Sequence, residues 1–502
     1  MEDDHHHHPM LTPFLQKKQE QQDSSSTLSE LHSILKLALP MSLTGLVLYS
    51  RSMISMLFLG RLGRLPLAGG SLAIGFANIT GYSVLSGLAS GLEPICGQAF
   101  GAKNHMILNL ALQQTVVILM AACIPISLLW LSMHHLLLFS GQDPEISSAA
   151  HSFILFSLPD LLLQSLLHPL RIYLRSQSIT LPLTLSSIFS LALHLPINYL
   201  LVSHLHLGIS GVALSTVFTN TILLLLLLLS YILFSSSLNL TITSSSCFHQ
   251  DITHNWKSLL TLSIQSCISV CLEWWWYEIM ILLCGLLLNP KSSVASMGIL
   301  IQTTSLIYIF PSSLSFSVST RVANELGANH PARARRAATV GLCCGFTLGF
   351  SALLFALGVR NAWAGFFTND LEILELTSMV LPILGACELG NCPQTTGCGV
   401  LRGSARPRAG VNINLTSFYG VGMPVAVVLA FWGGFGFSGL WVGLLAAQIT
   451  CVVLMLFVVG RTDWDLQAQR AQRLTGATDV EDCSRLDPGS KIDVEKQPLL
   501  IT

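Results

Sequence analysis

Two glutamates stand five residues apart in the run Cys271-Leu272-Glu273-Trp274-Trp275-Trp276-Tyr277-Glu278, inside a stretch otherwise suited to lipid. An ionisable group inside a bilayer is costly, so each glutamate is a functional candidate by default. A carboxylate packed among aromatic rings is desolvated, and desolvation favours its neutral form. Such a group can load and release a proton, which is what coupling to a proton gradient needs. The spacing is about 140° around a helix, so the two acids do not share a face. The competing reading is that either acid merely hydrogen-bonds a neighbouring helix. Three consecutive tryptophans cover most of a helix circumference, so only some of these rings can line a substrate route. Trp274, Trp275 and Tyr277 are the candidates for it.

Composition dictates the scaffold that must position them. Of 502 residues, 51% are hydrophobic and 10% charged, whereas soluble globular proteins carry roughly 25% charged residues. The mean hydropathy of +0.63 agrees: the natural solvent is lipid. The net charge of −1 leaves no nucleic-acid footprint. Thirteen cysteines are scattered through apolar stretches without metal or disulfide spacing and read as buried thiols. His5–His8 sit in a polar N-terminal tail and read as incidental rather than metal-binding, so no metal or cofactor is expected.

A bilayer core needs about 20 apolar residues per helix. Such stretches centre on residues 34–57, 68–92, 107–130, 148–170, 180–202 and 209–234, then 258–288, 294–320, 338–359, 372–400, 410–432 and 436–459. The expectation is an all-α polytopic membrane protein of about 12 spans. Its parts are an N-terminal tail (1–33), a six-span lobe (34–234), a Ser/Thr-rich connector (235–257), a second six-span lobe (258–460) and a C-terminal tail (461–502). Lys103, Arg171, Arg175, Lys257, Arg321, Arg333, Arg402 and Arg406 fall among the loops on one side, against Arg61, Arg64, Lys291 and Arg360 on the other. The positive-inside rule therefore puts both tails in the cytosol.

The halves repeat. Gly101-Ala102 matches Gly327-Ala328 at an offset of 226, Leu174-Arg175-Ser176 matches Leu401-Arg402-Gly403 at 227, and Gly208-Ile209-Ser210-Gly211 matches Gly436-Phe437-Ser438-Gly439 at 228. Six spans per half give both halves the same orientation, so the lobes form a parallel repeat with a substrate site expected between them.

At these motifs the chain resembles the plant branch of the multidrug and toxic compound extrusion family. GLEPICGQAFGA (Gly91–Ala102) resembles its loop after span 2, STRVANELGA (Ser319–Ala328) the counterpart in the second half, and CLEWWWYE (Cys271–Glu278) and CGVLRGSARP (Cys398–Pro407) its seventh and tenth spans. The resemblance covers roughly residues 30–465. It implies an antiporter that exports organic compounds, with Glu273 as the coupling acid and protons rather than sodium as the coupling ion. Where relatives carry acids, this chain has the amides Asn391 and Gln302, which can hydrogen-bond a substrate but not titrate. Glu388, one turn before Asn391, either replaces the missing acid or is an ordinary polar residue. The segment from Cys387 to Pro407 resembles a subgroup linked to abscisic acid efflux and endosomal location.

Arg51 and Asp160 are further charges at membrane depth. They pair, or Arg51 snorkels to the surface beside Arg61. Other readings are weaker. GQAFGAKN lacks the charged loop of another two-lobed carrier superfamily, and a lipid-linked sugar flippase would want a more cationic cavity. His134-His135 and His204/His206 lack the acidic partners that a membrane-embedded enzyme would show, so no catalysis is expected. The functional alternative is a transporter-like scaffold that regulates trafficking or growth through its tails. Glu495, Leu499 and Leu500 fit an acidic dileucine pattern for adaptor proteins. That pattern predicts endosomal or vacuolar membranes, with the plasma membrane as alternative. The other expected partners are a small organic substrate and the bilayer, and the carrier is expected to be a monomer.

Overall fold

The computed structural model describes residues 13–237, 252–287 and 289–476, and among them every regular element is helical. Among the described residues, twelve helices are long and apolar enough to cross a membrane. Spans 1 to 6 are Thr27–Leu62, Arg64–Gly101, His105–Leu131, Pro144–Ser176, Leu181–His204 and Gly208–Leu233. Spans 7 to 12 are Trp256–Cys284, Lys291–Gly327, Pro331–Val359, Leu371–Gly403, Pro407–Trp432 and Gly436–Gly460. Each is a largely apolar helix that satisfies its own backbone, the condition for crossing lipid.

Each half has its own core. Leu85, Leu119, Ile154, Leu167 and Leu223 belong to one buried cluster, and Trp276, Leu300, Val318, Leu384 and Trp441 to the other. The chain is thus a two-lobed bundle. Many leucines and phenylalanines remain exposed, Leu128, Phe189, Leu225, Phe350 and Val453 among them, as expected of surfaces that meet lipid tails rather than water.

The spans run further than the apolar stretches suggested. Span 2 continues helically through Leu92–Gly101 and span 8 through Gly327, so GLEPICGQAFGA and STRVANELGA are buried helix ends and not loops. Span 10 likewise stays helical to Gly403. Lys103, Ser178, Asn329 and Ala405 each follow such an end with positive φ, at 59°, 63°, 58° and 56°. The first and third are repeat mates, as are the second and fourth, so both lobes leave the membrane through the same tight turns. Four π-helical turns widen spans 2, 5 and 11. Those in spans 2 and 11 hold Tyr82 and Tyr419, which bond to other spans: Tyr82 to Asp160 at 2.8 Å and Tyr419 to the Leu272 carbonyl at 3.0 Å.

Arg51 does not snorkel. Its guanidinium donates to the Asn220 amide oxygen at 2.5 Å, and the Asn220 amide nitrogen donates to Asp160 at 2.5 Å. Gln164 adds a longer contact to Asp160 at 3.4 Å. An asparagine therefore joins the two charges inside the first lobe, because either alone would be costly away from water.

Candidate functional site

Glu273 lies in span 7, half-buried, with the Tyr308 hydroxyl of span 8 reaching its carboxylate and Arg402 of span 10 within electrostatic range. Glu388 in span 10 is 1% exposed. It accepts a hydrogen bond from Asn391 at 2.8 Å and a thiol contact from Cys392 at 3.7 Å. Their i, i+3 and i, i+4 spacing places all three on one helix face. Glu273 and Glu388 feel one another's charge, and Tyr277 feels both. Two acids on different spans, Glu388 buried and Glu273 half-buried, with a tyrosine within reach of both, therefore form one polar focus inside the second lobe. Glu278 stands apart: half-buried, it forms no ion pair among the described residues.

The aromatic run divides by face. Trp276 is fully buried, its ring 5.5 Å from Phe418 and 6.2 Å from Tyr419. Trp274 and Trp275 are 40% and 42% exposed, and the Trp275 indole donates to the Ile79 carbonyl of span 2 at 3.4 Å, in the other lobe. Gln302 is exposed and accepts from the Tyr49 hydroxyl of span 1 at 3.2 Å, again across the lobes. Asn391 is buried against Glu388 rather than facing the interlobe surface. Glu495, Leu499 and Leu500 lie outside the described residues.

Sequence reasoning missed a second polar focus, on the seam between the lobes at the end that carries the turns after spans 2, 4, 8 and 10. Glu93 of span 2 is 6% exposed. One of its oxygens takes a short ion pair from Arg175 of span 4. The other accepts from the Ser319 hydroxyl at 3.0 Å and lies 3.2 Å from Arg402 Nε, an ion-pair contact without hydrogen-bond alignment. Phe316 packs under both guanidiniums, 4.0 Å from Arg175 and 5.5 Å from Arg402. Arg175 and Arg402 are repeat mates, and so are Glu93 and Ser319. Around them the contacts are reciprocal: Gln98 donates to the Gly403 carbonyl at 3.0 Å, and its mate Asn324 donates to the Ser176 carbonyl at 3.3 Å. The available signal was an acid in one half facing an uncharged residue at the same offset in the other.

Two further ties span this seam. Arg321 makes a two-point ion pair with Glu30, both contacts at 2.8 Å, which joins the start of span 1 to span 8. A helix after span 12, Trp464–Leu474, is capped by Asp463. It reaches the Gly327 carbonyl through Gln472 at 2.9 Å, while Asn104 holds the following Thr475 carbonyl at 3.0 Å.

A helical bundle of twelve spans in two repeated lobes, with acids buried in one lobe and an ion-paired seam between them, is the build of a polytopic membrane carrier. The MatE family profile matches the chain twice, over residues 40–200 and 266–428, and the matched segments stand at the offset of the internal repeat. The chain belongs to this family, the multidrug and toxic compound extrusion transporters. It is 65% identical over 450 residues to Protein DETOXIFICATION 49 of Arabidopsis thaliana, covering 89% of each chain. It is 59% identical to Protein DETOXIFICATION 48 of the same plant, covering 90% of this chain and 84% of that one. Among solved structures, the eukaryotic MATE transporter AtDTX14 superposes with a TM-score of 0.83 at 33% identity, covering 89% of this chain and 100% of that one. The Vibrio cholerae MATE transporter VcmN in its bent form gives a TM-score of 0.72 at 17% identity over 90% of this chain and 99% of that one, a likeness of fold alone. This is a membrane efflux transporter for a small molecule, not an enzyme.

Proposed function

We propose that this transporter exports an organic compound (a xenobiotic, a metabolite or a hormone) from the cytosol in exchange for protons, with Glu273 and Glu388 carrying the proton. The observation that supports it is the pair itself: two carboxylates on spans 7 and 10, within electrostatic reach of each other and with Tyr308 and Asn391 as uncharged hydrogen-bonding neighbours. Ionisable groups so placed in a membrane bundle are the usual material of proton relays. Trp275 and Gln302, which bond across the lobes, and the exposed Trp274 are the cargo contacts, with Tyr277 and Asn391 behind them. Both tails and the seam of Glu93 face the cytosol in this reading.

Proteoliposomes with an imposed pH gradient test it. Glu273→Gln is expected to abolish gradient-driven export while leaving membrane insertion intact, and full pH-dependent transport by that variant overturns the assignment. A sodium gradient without a pH gradient is expected to drive nothing. Glu388→Gln is expected to alter the pH dependence more than Asn391→Ala; the reverse ranking makes Asn391 a cargo contact and leaves one coupling acid. Residence in endosomal or vacuolar membranes rests on the tail pattern, and replacing Leu499 and Leu500 with Ala is expected to move a tagged protein to the cell surface. An unchanged distribution makes the plasma membrane the leading site.

A further inference from the structure

The cluster on Glu93 has an odd charge count. Arg175 and Arg402 converge on that one carboxylate, because its repeat mate is the neutral Ser319. One positive charge is left over there in a buried place, where unbalanced charge is expensive. The third arginine of the seam, Arg321, is held separately by two carboxylates, Glu30 and Glu325, at 2.8 Å each. Arg402 also borders the small gap lined by Ser266, Ser269 and Val270 of span 7, one helical turn before Glu273. It thus touches the latch on one side and the surroundings of the coupling acid on the other.

We propose that Arg402 is a positioning residue that passes the protonation state of Glu273 to this interlobe latch. An ionised Glu273 completes a neutral set of two arginines and two glutamates and holds the cytosolic end shut. A protonated Glu273 leaves the two arginines and Glu93 with one uncompensated positive charge, which is costly while the seam is closed and is relieved when the lobes part and water reaches it. This inference rests on the proton-exchange reading above. The groups facing Glu273 are Tyr308 on span 8, Glu388, Cys398 and Arg402 on span 10, Cys451 on span 12 and Tyr277 on its own span. Arg402 is the one cation of that set and the one member that also reaches Glu93. The direction suits exchange: a proton taken from outside loosens the inner gate, so the carrier turns inward to release it.

The test uses the full-length protein in nanodiscs, with bioorthogonal spin labels replacing Met106 and Ala332, which leaves the native cysteines untouched. Both positions are exposed, near the starts of spans 3 and 9, and are repeat mates across the seam. Distances between them are expected to lengthen in the wild type on acidification. In Glu273→Gln they are expected to be long at every pH, with the closed fraction down about tenfold for one charge lost in a partly desolvated site. Arg402→Gln is expected to abolish the pH response, and Arg402→Lys, which keeps the charge, to restore it. A purely structural arginine would loosen the seam without removing that response. If Arg402→Gln does not fold, Ser319→Asp replaces it, since a second carboxylate beside Arg402 is likewise expected to abolish the response. Wild-type distances in Glu273→Gln, or a full pH response in the replacement variant, overturn the proposal. Transport by the same variants separates the two readings: an inactive Glu273→Gln with unmoved distances sinks the latch coupling alone, whereas pH-driven export by it sinks proton exchange at that residue.

Discussion

Adding one methyl group at Gly327 probes whether the lobes close on each other backbone to backbone. A Cβ there would lie 2.7 Å from the Gln98 carbonyl carbon and 2.8 Å from its Cα, and closer still to the carbonyl oxygen. Ordinary van der Waals contact begins near 3.4 Å, so the two helix ends must separate by more than about 1 Å to clear the oxygen, and no side chain is available to rotate away. Overpacking of this kind costs about 1–3 kcal/mol. Here the strain falls on the closed arrangement and is relieved when the lobes part, so it lowers the closed population by about 5- to 150-fold rather than unfolding the protein. Cys96, fully buried behind the seam one turn from Glu93, reports the result through its own thiol. A membrane-impermeant maleimide, mapped by peptide mass spectrometry, is expected to label it in Gly327→Ala but not in the wild type, with Ala332→Cys, an exposed position at the start of span 9, as the positive control. Gly358→Ala, which has nothing within 4 Å of the added carbon, is expected to behave as wild type. Equal, low labelling of Cys96 in a well-folded Gly327→Ala refutes the idea that this contact sets closure.

Asn220→Ala removes the amide between Arg51 and Asp160 and is expected to cost about 2–3 kcal/mol of stability, since hydrogen bonds to charged groups are lost. An unchanged thermal denaturation curve in detergent shows that the bridge contributes nothing. Trp276→Ala is expected to destabilise the second lobe by about 3–5 kcal/mol, while Trp274→Ala, at a ring 40% exposed, is expected to cost much less. Equal effects of the two would overturn that division of the aromatic run. Asp463→Ala deletes a cap that accepts from the Leu466 amide at 3.0 Å, and a loss of about 1 kcal/mol is expected. Faster hydrogen exchange over residues 464–474 is the readout, and unchanged exchange refutes the capping role.

What sequence could and could not disclose follows from range. A span is written in about 20 consecutive residues, and the pairing of Glu388 with Asn391 in an i, i+3 step, so both were legible. The ends of spans 2, 8 and 10 were not, because Gly91, Pro94 and Gly97 resemble loop signals in a soluble chain. In a bundle a neighbouring helix makes good what proline and glycine disturb. Glu93 was passed over for the same reason, and because its partners are far along the chain: Arg175 is 82 residues away and Ser319 is 226. In the sequence Arg175 and Arg402 read as loop charges that set orientation, whereas both guanidiniums are largely buried at the seam. Which of three tryptophans packs was likewise undecidable from a run without periodicity, since the choice belongs to Phe418 and Tyr419 on span 11.

The latch depends most on the break in the repeat at Ser319. Had both halves kept an acid, two arginines would meet two carboxylates at the seam, and the set would be neutral whatever Glu273 did. A serine leaves room for a distant acid to complete the count, and its hydroxyl donates to Glu93 at 3.0 Å without adding charge. Ser319→Asp restores the second carboxylate within reach of Arg402. The expected outcome is a cytosolic end that stays shut at acid pH and a transporter that binds cargo poorly from that side. Combining it with Glu273→Gln is expected to leave the seam closed, although Glu273→Gln alone opens it. Spin-label distances across the seam in the double variant decide the matter. A double variant as open as Glu273→Gln alone would mean that charge balance at the seam does not govern the gate.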